Sequence, residues 1–477
     1  MNLLSTNILL VICCLTTGLM LLVAQSIIRA KRAALAKAKP RKKKKPSKTK
    51  KPAKLSIRKR AVLKSRAAAH AVRIHQYTEL ALAITSGLAL SLISVYIVRQ
   101  YFASDQLPAL LWLMLLPIGT TFSYLVISFW HTWQHILLAL AGLVSAVAFG
   151  ALLINQYYGY YPTLDSLFGR TNSIQTIVLH VNPTAPALRS AELTENSYEP
   201  ANDQPDVGKL YSFVIPGSKS HFAGRPAVAY LPPAALTRAA PQLPVLILLA
   251  GTPGSPLDWL YGGDLKTTLD QFAARHNGLA PIVVLADQNG SQFADTECVN
   301  SPLGNAETYL TEDVPSYIKD NFNVSAAPSE WAIGGLSDGG MCALLMTLRH
   351  PTLFQSFLDF SGEPGPEVGN KDTTIARLFG GSAAVWAAHD PTTLLTGHSY
   401  PTLGGWFGIG DSDLPGLVQG ERALYTAARQ DGIAASIELV PGGQHTFYVW
   451  RQNLQDSLPW LANRMGLTLC ETSCKQF

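Results

Sequence analysis

Four long apolar runs occupy the first third of the chain. They cover residues 3–28, 80–98, 107–129 and 136–154, and polar or basic stretches separate them. About 20 helical residues suffice to cross the hydrocarbon core of a bilayer, so each run is long enough for one crossing. The first run has its charges after it and no small-residue cleavage site, which favours a retained helix over a cleaved signal peptide. The pattern predicts four transmembrane helices.

A different pattern begins near residue 209, where short apolar runs alternate with amphipathic segments. The runs predict strands at 210–215, 227–231, 245–249, 282–286, 331–336, 356–360, 405–409 and 436–440. The segments predict helices at 265–276, 307–321, 339–349, 419–430 and 446–465. Such alternation is typical of an α/β fold, a mainly parallel sheet covered by helices on both faces. Residues 157–206 are rich in Pro, Asn, Ser and Thr and predict a linker.

Charge is strongly segregated along the chain. The 477 residues carry a net charge of +6, with 48% hydrophobic and 15% charged residues, and the mean hydropathy is +0.15. No acidic residue precedes Glu79, whereas Arg29 and residues 31–73 hold 20 Lys and Arg residues, which leaves a net charge of −14 from Glu79 onward. Self-repulsion and a shortage of apolar groups predict disorder for most of residues 31–73. The basic run lacks interleaved aromatic residues, so nucleic acid is not the expected partner.

Basic residues beside a membrane helix favour the cytoplasmic side and contact anionic lipid head groups. This rule predicts a first helix in residues 1–29, a cytoplasmic Lys/Arg-rich segment at 30–76, three further helices in 77–156, and residues 207–477 as a domain outside the membrane. The tyrosines at 157, 158, 160 and 161 would then form an aromatic belt at the outer surface.

The motif Gly-Gly-Leu-Ser-Asp-Gly-Gly at residues 334–340 carries the chemistry. A predicted strand enters it and a helix-compatible segment leaves it, so Ser337 lies on a sharp strand-to-helix turn. This is the G-x-S-x-G pattern of a nucleophile elbow, in which the serine is held in a strained conformation and its neighbours must be glycine. We predict that Ser337 is a catalytic nucleophile.

An activated serine needs a histidine base and an acid that orients it, in the chain order Ser, Asp or Glu, His. Among the four histidines after Ser337, only His445 lies between the last predicted strand and the last helix, where the base is expected. The acid is expected after strand 405–409, where Asp411 and Asp413 lie. Asp413 is preferred because it lies further into the loop, and Asp411 remains the alternative.

Oxyanion stabilisation needs two preorganised N–H groups. The amide of Asp338, which follows the nucleophile, is expected to supply one of them. The loop after strand 245–249 is expected to supply the other. Thr252 is the candidate there, because Pro253 has no N–H group.

Four motifs in this part of the chain resemble those of one known family. They are LLAGT at 248–252, DWLYGGD at 258–264, GLSDG at 335–339 and GQHTFYVW at 443–450. With them, residues 209–466 resemble the esterase D branch of the α/β-hydrolases, which includes the secreted mycolyltransferases of the antigen 85 type. The resemblance looks closest to actinobacterial membrane esterases with several helices before the catalytic domain. It implies an α/β-hydrolase fold and a bacterial cell-envelope enzyme.

Two positions depart from the mycolyltransferases. Those enzymes typically have an Asp where this chain has Ala250 and an Arg near Pro253, both associated with their sugar site. Transfer of mycolyl groups to trehalose is therefore not expected here. The mycolyltransferases also lack a four-helix anchor.

Six cysteines divide between the two parts of the chain. Two lie in the first apolar run, and four lie in the predicted outer domain: Cys298, Cys342, Cys470 and Cys474. An outer domain permits disulfides, and four cysteines allow three pairings. We favour Cys298 with Cys342 and Cys470 with Cys474. No Cys/His spacing forms a metal site, so neither a metal nor a cofactor is expected.

These features predict a membrane-anchored serine esterase or acyltransferase that acts on lipid or cell-envelope esters. Hydrolysis and transfer to an acceptor alcohol use the same residues, so both outcomes stay open. A non-catalytic envelope protein that uses the fold as an interaction surface is the alternative from another class.

Overall fold

The computed structural model describes residues 52–101, 114–129, 133–168, 174–176 and 195–468. The chain divides into two compact units, one covering Leu3–Tyr157 and the other Tyr158–Phe477. Three predicted features lie outside the described residues. They are the first transmembrane helix, the Lys-rich part of the basic segment before residue 52, and the cysteine pair Cys470 and Cys474.

The first unit contains three described helices, Pro52–Tyr101, Leu115–Ser128 and Trp133–Tyr158. Two stretches are long and apolar enough to cross a membrane: Tyr77–Ile97, with a mean hydropathy of 2.1, and Trp133–Tyr158, with 2.5. Leu115–Ser128 is apolar but has only 14 residues. Among the described residues, two of the four predicted transmembrane helices are thus long enough to cross a membrane, whereas the predicted span 107–129 contains only a 14-residue helix.

The basic segment is more ordered than predicted. The disorder expected for most of residues 31–73 is wrong for residues 52–73, which belong to the helix Pro52–Tyr101. This part of the segment is rich in Ala, Leu, Lys and Arg, which are among the best helix formers. It also continues a helix that the apolar stretch already forms, so it needs no nucleation of its own.

Small residues bring two helices of the first unit together. A Cβ atom on Gly87 would lie 2.6 Å from the Cα of Thr120, and one on Gly119 would lie 2.6 Å from the carbonyl oxygen of Gly87. Ser91 Oγ donates a hydrogen bond of 2.8 Å to the carbonyl of Leu115 at the same crossing. Close approach of backbones at small residues is common between transmembrane helices.

The second unit is built on a nine-stranded sheet. Its strands are β1 (Ile174–Thr176), β2 (Lys209–Phe213), β3 (Ala227–Leu231), β4 (Val245–Leu249), β5 (Ile282–Leu285), β8 (Trp331–Leu336), β9 (Ser356–Phe360), β10 (Gly404–Gly410) and β11 (Ala434–Val440). They lie in the order β1-β2-β3-β5-β4-β8-β9-β10-β11, while β6 (Asn300–Ser301) and β7 (Gly304–Asn305) form a separate hairpin. Strand β3 is antiparallel to both neighbours, and all other pairs in the sheet are parallel.

All eight predicted strands are present, and so are the five predicted helices. Around the sheet lie the helices Leu164–Leu167, Asp258–Tyr261, Leu265–Arg275, Ala306–Thr308, Val314–Asn321, Asp338–Arg349, Lys371–Leu378, Ala383–Ala387, Pro391–Leu394, Pro415–Gln430 and Phe447–Arg464. Short 3-10 turns occur at Pro233–Leu236 and Pro328–Glu330, and a π turn at Tyr309–Asp313 divides the helix predicted at 307–321. The unpredicted helices have four to eight residues, too few for a clear hydrophobic period.

The predicted linker contributes to the second unit. Strand β1 falls within it and pairs in parallel with β2, so that Ile174 lies opposite Leu210. The compact unit also begins at Tyr158, well before the predicted domain start at residue 207. A strand of three residues shows no alternation of its own, so it was invisible in the sequence pattern.

Three neighbouring parallel strands position the site. Strands β4, β8 and β9 are buried along their whole length and lie side by side in the sheet. Their carboxyl ends lie at one edge of the sheet, where ligands bind in open α/β folds. The residues that follow them are therefore brought together: Ala250 after β4, Ser337 after β8 and Ser361 after β9.

Candidate active site

Ser337 lies at the turn between β8 and the helix Asp338–Arg349, which we call the elbow helix. Its φ of 55° and ψ of −128° place a non-glycine residue in a strained conformation. A Cβ atom on Gly335 would lie 2.1 Å from the carbonyl oxygen of Gly339, and one on Gly339 would lie 2.5 Å from that of Ala250. Both glycines are thus required for the turn to pass between strand and helix, as the elbow pattern predicts.

The structure brings together the three residues predicted to form the triad. Ser337 Oγ lies 3.0 Å from Nε2 of His445, and Nδ1 of His445 lies 3.1 Å from Oδ2 of Asp413. With the ring proton on Nδ1, His445 donates to Asp413 and accepts the hydroxyl proton of Ser337. Asp413 is only 6% exposed, and its Oδ1 also accepts a bond of 2.7 Å from the amide of Leu414.

The alternative acid, Asp411, lies in a different environment. It is exposed, and its Oδ1 accepts hydrogen bonds from the amide of Gly442 at 2.7 Å and from Ser412 Oγ at 2.9 Å. It therefore ties the loop after β10 to the loop that leads to His445. Only Asp413 of the two contacts the imidazole.

The other histidines that follow Ser337 lie elsewhere. His350 and His389 both contact the carboxylate of Glu307, at 2.9 Å and 3.3 Å. His398 stacks on the ring of Tyr400. Of the four histidines that follow Ser337, His445 is the one that contacts it in the described part of the chain, and its role as the base stays a prediction.

The two residues predicted to supply oxyanion amides are joined by their side chains. Thr252 Oγ1 donates a hydrogen bond of 2.9 Å to Oδ2 of Asp338. Asn289 Nδ2 lies 2.7 Å from Thr252 Oγ1 and 3.0 Å from the same Asp338 oxygen, to which Gln288 Nε2 also donates at 3.2 Å. Burial raises the pKa of Asp338, and the bonds from Asn289, Thr252 and Gln288 oppose this.

Gln288 and Asn289 were missed in the sequence. They follow β5, which pairs in parallel with β4, so they lie at the same edge of the sheet as Thr252. Their position as polar residues directly after a buried parallel strand is the sequence feature from which they could have been predicted.

A second set of bonds holds the loop that contains Thr252. The guanidinium of Arg225 forms a bidentate ion pair with the buried carboxylate of Asp287, at 2.8 Å and 3.0 Å. The same guanidinium donates a bond of 2.9 Å to the carbonyl of Gly254. Because Arg225 has a planar, fixed set of donors, this arrangement holds the loop in one position.

The predicted disulfide between Cys298 and Cys342 is confirmed. The two sulfur atoms are bonded, across a sequence separation of 44 residues. Cys342 lies on the elbow helix and Cys298 on the loop that follows Asn289. The disulfide therefore connects this loop to the helix that begins directly after Ser337.

Glu363 also contacts the nucleophile, and the sequence analysis did not identify it. Its Oε1 lies 3.5 Å from Ser337 Oγ, and its Oε2 is buried with no partner among the described residues. Burial and the charge of Asp338 raise the pKa of Glu363 to about 7, although His445 lowers it. Glu363 follows β9, the neighbour of β8, so its position after a parallel strand was again the missed signal.

Three carboxylates near the elbow lie close enough to share a cation. The ligand atoms of Asp295, Glu297 and Asp338 lie within 4.8 Å of one another. Burial, together with the charges of Asp338 and Glu363, raises the pKa of Asp295 to about 7. Oδ2 of Asp338 already accepts three hydrogen bonds, from Thr252, Gln288 and Asn289.

Comparison with known proteins identifies the family of the chain. A family model described as putative esterase matches residues 223–461, half of the chain. An uncharacterised protein of Corynebacterium glutamicum is 37% identical over 334 residues, covering 68% of this chain and 75% of the relative. The diacylglycerol acyltransferase/mycolyltransferase Ag85A of Mycobacterium leprae is 26% identical over 260 residues, covering 47% of this chain and 76% of that protein.

Solved structures are similar to part of the chain. An S-formylglutathione hydrolase from Agrobacterium tumefaciens is 20% identical, with a TM-score of 0.47, and the match covers 56% of this chain and 100% of that one. The family match and the relative in C. glutamicum carry the assignment. The chain therefore belongs to the esterase family of α/β-hydrolases, in the branch that includes the antigen 85 acyltransferases, and is a serine hydrolase of carboxylic esters.

Proposed function

We propose that this protein is a membrane-anchored esterase in which Ser337, His445 and Asp413 form the catalytic triad. The observation that carries the proposal is the continuous series of hydrogen bonds from Ser337 Oγ to His445 and from His445 to Asp413. A nucleophile, a base within hydrogen-bond reach and a third group that orients the base are the recognised signature of nucleophilic catalysis.

The chemical steps follow from the positions of the protons. His445 Nε2 takes the Ser337 proton while Oγ forms a bond to the ester carbonyl carbon. The bond from that carbon to the leaving alkoxy group then breaks, and His445 gives it the proton. Water or an acceptor alcohol attacks the acyl-enzyme, with His445 first accepting its proton and then returning one to Ser337.

The negative oxygen of each tetrahedral intermediate needs donors that are already in place. We assign this role to the amides of Asp338 and Thr252. The side-chain bond between these residues supports the assignment, because it holds the loop after β4 against the start of the elbow helix. Preorganised donors of this kind are worth about 10²- to 10³-fold in kcat each.

Lipid or cell-envelope esters are the proposed substrates, with a bacterial cell membrane as the location. Two helices of membrane length support anchoring, and both carry exposed apolar side chains, such as Leu92 at 61% and Val144 at 60%. In the proposed topology four helices cross the membrane, residues 30–76 lie in the cytoplasm beside anionic lipids, and the catalytic domain lies outside. The disulfide between Cys298 and Cys342 supports an oxidising location for that domain.

Labelling with a fluorophosphonate probe tests the triad. Membranes that contain the native chain, Ser337→Ala or His445→Ala are compared at equal amounts of protein. We expect the label on the native chain alone, because only an activated serine reacts quickly. Absence of label on folded native protein would refute the hydrolase mechanism and favour a non-catalytic interaction protein.

A partition experiment distinguishes hydrolysis from transfer. The release of p-nitrophenol from p-nitrophenyl butyrate is measured with and without glycerol or trehalose, and the acylated products are quantified. Free butyrate as the main product in all mixtures identifies an esterase. An acylated alcohol as the main product identifies an acyltransferase, the activity for which the Mycobacterium leprae relative is named.

A thiol-labelling experiment tests the orientation. Asp206 is exposed on the second unit, so Asp206→Cys provides a reporter thiol there. We expect a membrane-impermeant maleimide to label this variant on intact spheroplasts, compared with the unsubstituted chain as background. Labelling that requires permeabilisation would place the domain in the cytoplasm and refute the proposed topology.

A further inference from the structure

Residues 159–161 directly follow the long apolar helix in the chain and belong to the catalytic unit. We call them the tether. Their contacts reach the two loops to which catalysis is assigned above, namely the loop after β4 that contains Thr252 and the loop before the C-terminal helix Phe447–Arg464 that contains His445. These contacts are made by Tyr160 and by its neighbour Gly159.

The first set of contacts connects Tyr160 to the Thr252 loop. The phenol of Tyr160 donates a hydrogen bond of 2.6 Å to Oδ1 of Asp258. Ser255 donates to the same carboxylate twice, from Oγ at 2.9 Å and from its amide at 3.0 Å. A Cβ atom on Gly254 would lie 2.8 Å from Oδ2 of Asp258, so this carboxylate is packed directly against the turn after Thr252.

The protonation states favour this bond. Burial and the charge of Asp258 raise the pKa of Tyr160 above its usual range, so its phenol stays protonated and donates. Burial raises the pKa of Asp258, but the bonds from Tyr160 and Ser255 oppose this. A hydrogen bond to a buried carboxylate is among the stronger ones in proteins.

The second set of contacts connects Tyr160 to the base. Its ring packs edge-on against Phe447, with centroids 5.0 Å apart. Phe447 packs edge-on against Trp450 at 4.7 Å, and Trp450 packs edge-on against the imidazole of His445 at 5.0 Å. Four rings thus run in contact from the tether to the base. Such edge-to-face pairs stabilise a defined ring orientation.

A guanidinium joins the two sets of contacts. Arg451 Nη1, on the C-terminal helix, donates to the carbonyl of Gly159 at 2.9 Å and to that of Gly262 at 2.7 Å. Gly262 lies at the end of the helix Asp258–Tyr261 and packs on Phe447, because a Cβ atom there would lie 2.4 Å from that ring. The tether, the Asp258 helix and the C-terminal helix therefore meet at one point.

We infer that Tyr160 is a positioning residue for catalysis, which holds the Thr252 loop through Asp258 and the His445 ring through Phe447 and Trp450. The segment that follows the membrane-length helix is then a working part of the active site and not a passive connection. This inference rests on the proposed function, since it concerns the geometry of that same site.

Tyr160→Phe in the full chain tests the inference, because it removes the bond to Asp258 and keeps the ring. With p-nitrophenyl butyrate and detergent-solubilised protein, we expect kcat to fall roughly ten-fold and KM to change by less than about two-fold. Tyr198→Phe is the matched control, since it also removes one phenol hydrogen bond, to Gln204, away from both loops. Its kcat should equal that of the native chain.

A double variant separates positioning from general destabilisation. If Tyr160 acts through Asp258, then Tyr160→Phe combined with Asp258→Asn is no slower than Asp258→Asn alone. If the double variant shows the product of the two single losses in kcat, the inference is overturned. A native kcat in folded Tyr160→Phe would also overturn it. Where Tyr160→Phe does not fold, Arg451→Gln loosens the tether at Gly159, and a native kcat in that variant would overturn the inference instead. A native chain without turnover refutes the proposed function itself, so the two failures are distinguishable.

Discussion

The side chain of Thr252 donates a hydrogen bond of 2.9 Å to the carboxylate of Asp338, across 86 residues of sequence. The two residues lie on separate loops, one after β4 and the other at the start of the elbow helix. Their amides are the ones to which we assign the oxyanion. This hydrogen bond thus joins the two loops that carry the predicted donors.

Thr252→Val should lower kcat without abolishing labelling of Ser337. The substitution keeps the amide of residue 252 but removes the hydroxyl, which leaves Asn289 and Asp338 without one partner and frees the loop. We expect a loss of roughly ten-fold or more in kcat with little change in KM, because the amides act mainly in the transition state. Thr237→Val is the control, since the hydroxyl of the buried Thr237 donates a local hydrogen bond to the carbonyl of Ala234. Equal kcat for native and Thr252→Val enzymes would contradict the assignment.

Asp413→Asn and Asp411→Asn form a matched pair. Asp413 accepts a hydrogen bond from the imidazole N–H, and an amide in its place favours the wrong tautomer of His445, so kcat should fall by roughly 10³- to 10⁴-fold. Asn at 411 still accepts the bond from the amide of Gly442, so its kcat should stay within about two-fold of the native value. Steady-state kinetics on one ester decide the matter. The reverse ranking would identify Asp411 as the acid.

Glu363→Gln should move the acidic limb of the kcat/KM profile to lower pH. The pKa of Glu363 is raised to about 7, so its carboxylate gains a charge close to Ser337 and His445 as the pH rises through neutrality. That charge favours the imidazolium, which is inactive as a base. Without it, His445 is neutral at lower pH and the limb moves by about half a pH unit.

The control for Glu363 is Glu367→Gln, since the side chain of Glu367 is exposed. Its pH profile should match that of the native enzyme. If the pH profile of Glu363→Gln superimposes on those of the native enzyme and of Glu367→Gln, the charge of Glu363 does not act on the base.

Asp359→Asn should stabilise the protein at alkaline pH. Asp359 is completely buried behind the elbow, and burial together with the charge of Glu363 raises its pKa to about 8. Because the folded-state pKa lies above that of the unfolded chain, this group stabilises the fold fully below about pH 4, and the contribution is lost as the pH rises to about 8. Asparagine cannot ionise, so the variant escapes this loss.

Thermal unfolding at pH 5 and pH 8.5 measures the effect. We expect the midpoint of Asp359→Asn to exceed the native midpoint by several degrees, on the order of 4 °C per kcal/mol, at pH 8.5 and by much less at pH 5. The exposed Asp206→Asn should match the native protein at both values. A difference that does not depend on pH would mean that packing, not ionisation, causes the change.

Much of the fold followed from local patterns. The eight predicted strands and five predicted helices are confirmed, because each is long enough to show its hydrophobic period. The glycines around Ser337 likewise indicated the strand-to-helix turn. Elements too short to show a hydrophobic period were not predicted, among them strand β1 and the hairpin of β6 and β7. The basic residues 52–73 were wrongly expected to be disordered, because their charge was given more weight than their helix propensity.

The candidate site divides in the same way. Ser337 and His445 could be identified from motif and order alone, and the sequence left Asp411 and Asp413 as alternatives that differ only in loop position. Which carboxylate reaches the imidazole depends on how the loop after β10 folds, and the structure brings Asp413 to it. Glu363, Gln288 and Asn289 entered the site only because β5, β8 and β9 end at one edge of the sheet.

By itself, then, the sequence determined the class of the enzyme, the predicted nucleophile and base and the existence of apolar helices, because these depend on residue types at short, fixed spacings. Tertiary structure decided which carboxylate contacts the predicted base, which side chains join the two predicted oxyanion loops and that Tyr160 contacts the residues that hold them. Those contacts join residues from tens to nearly 300 positions apart, such as Arg451 and Gly159. No local pattern records them, since only the packing of strands, loops and helices brings these residues together.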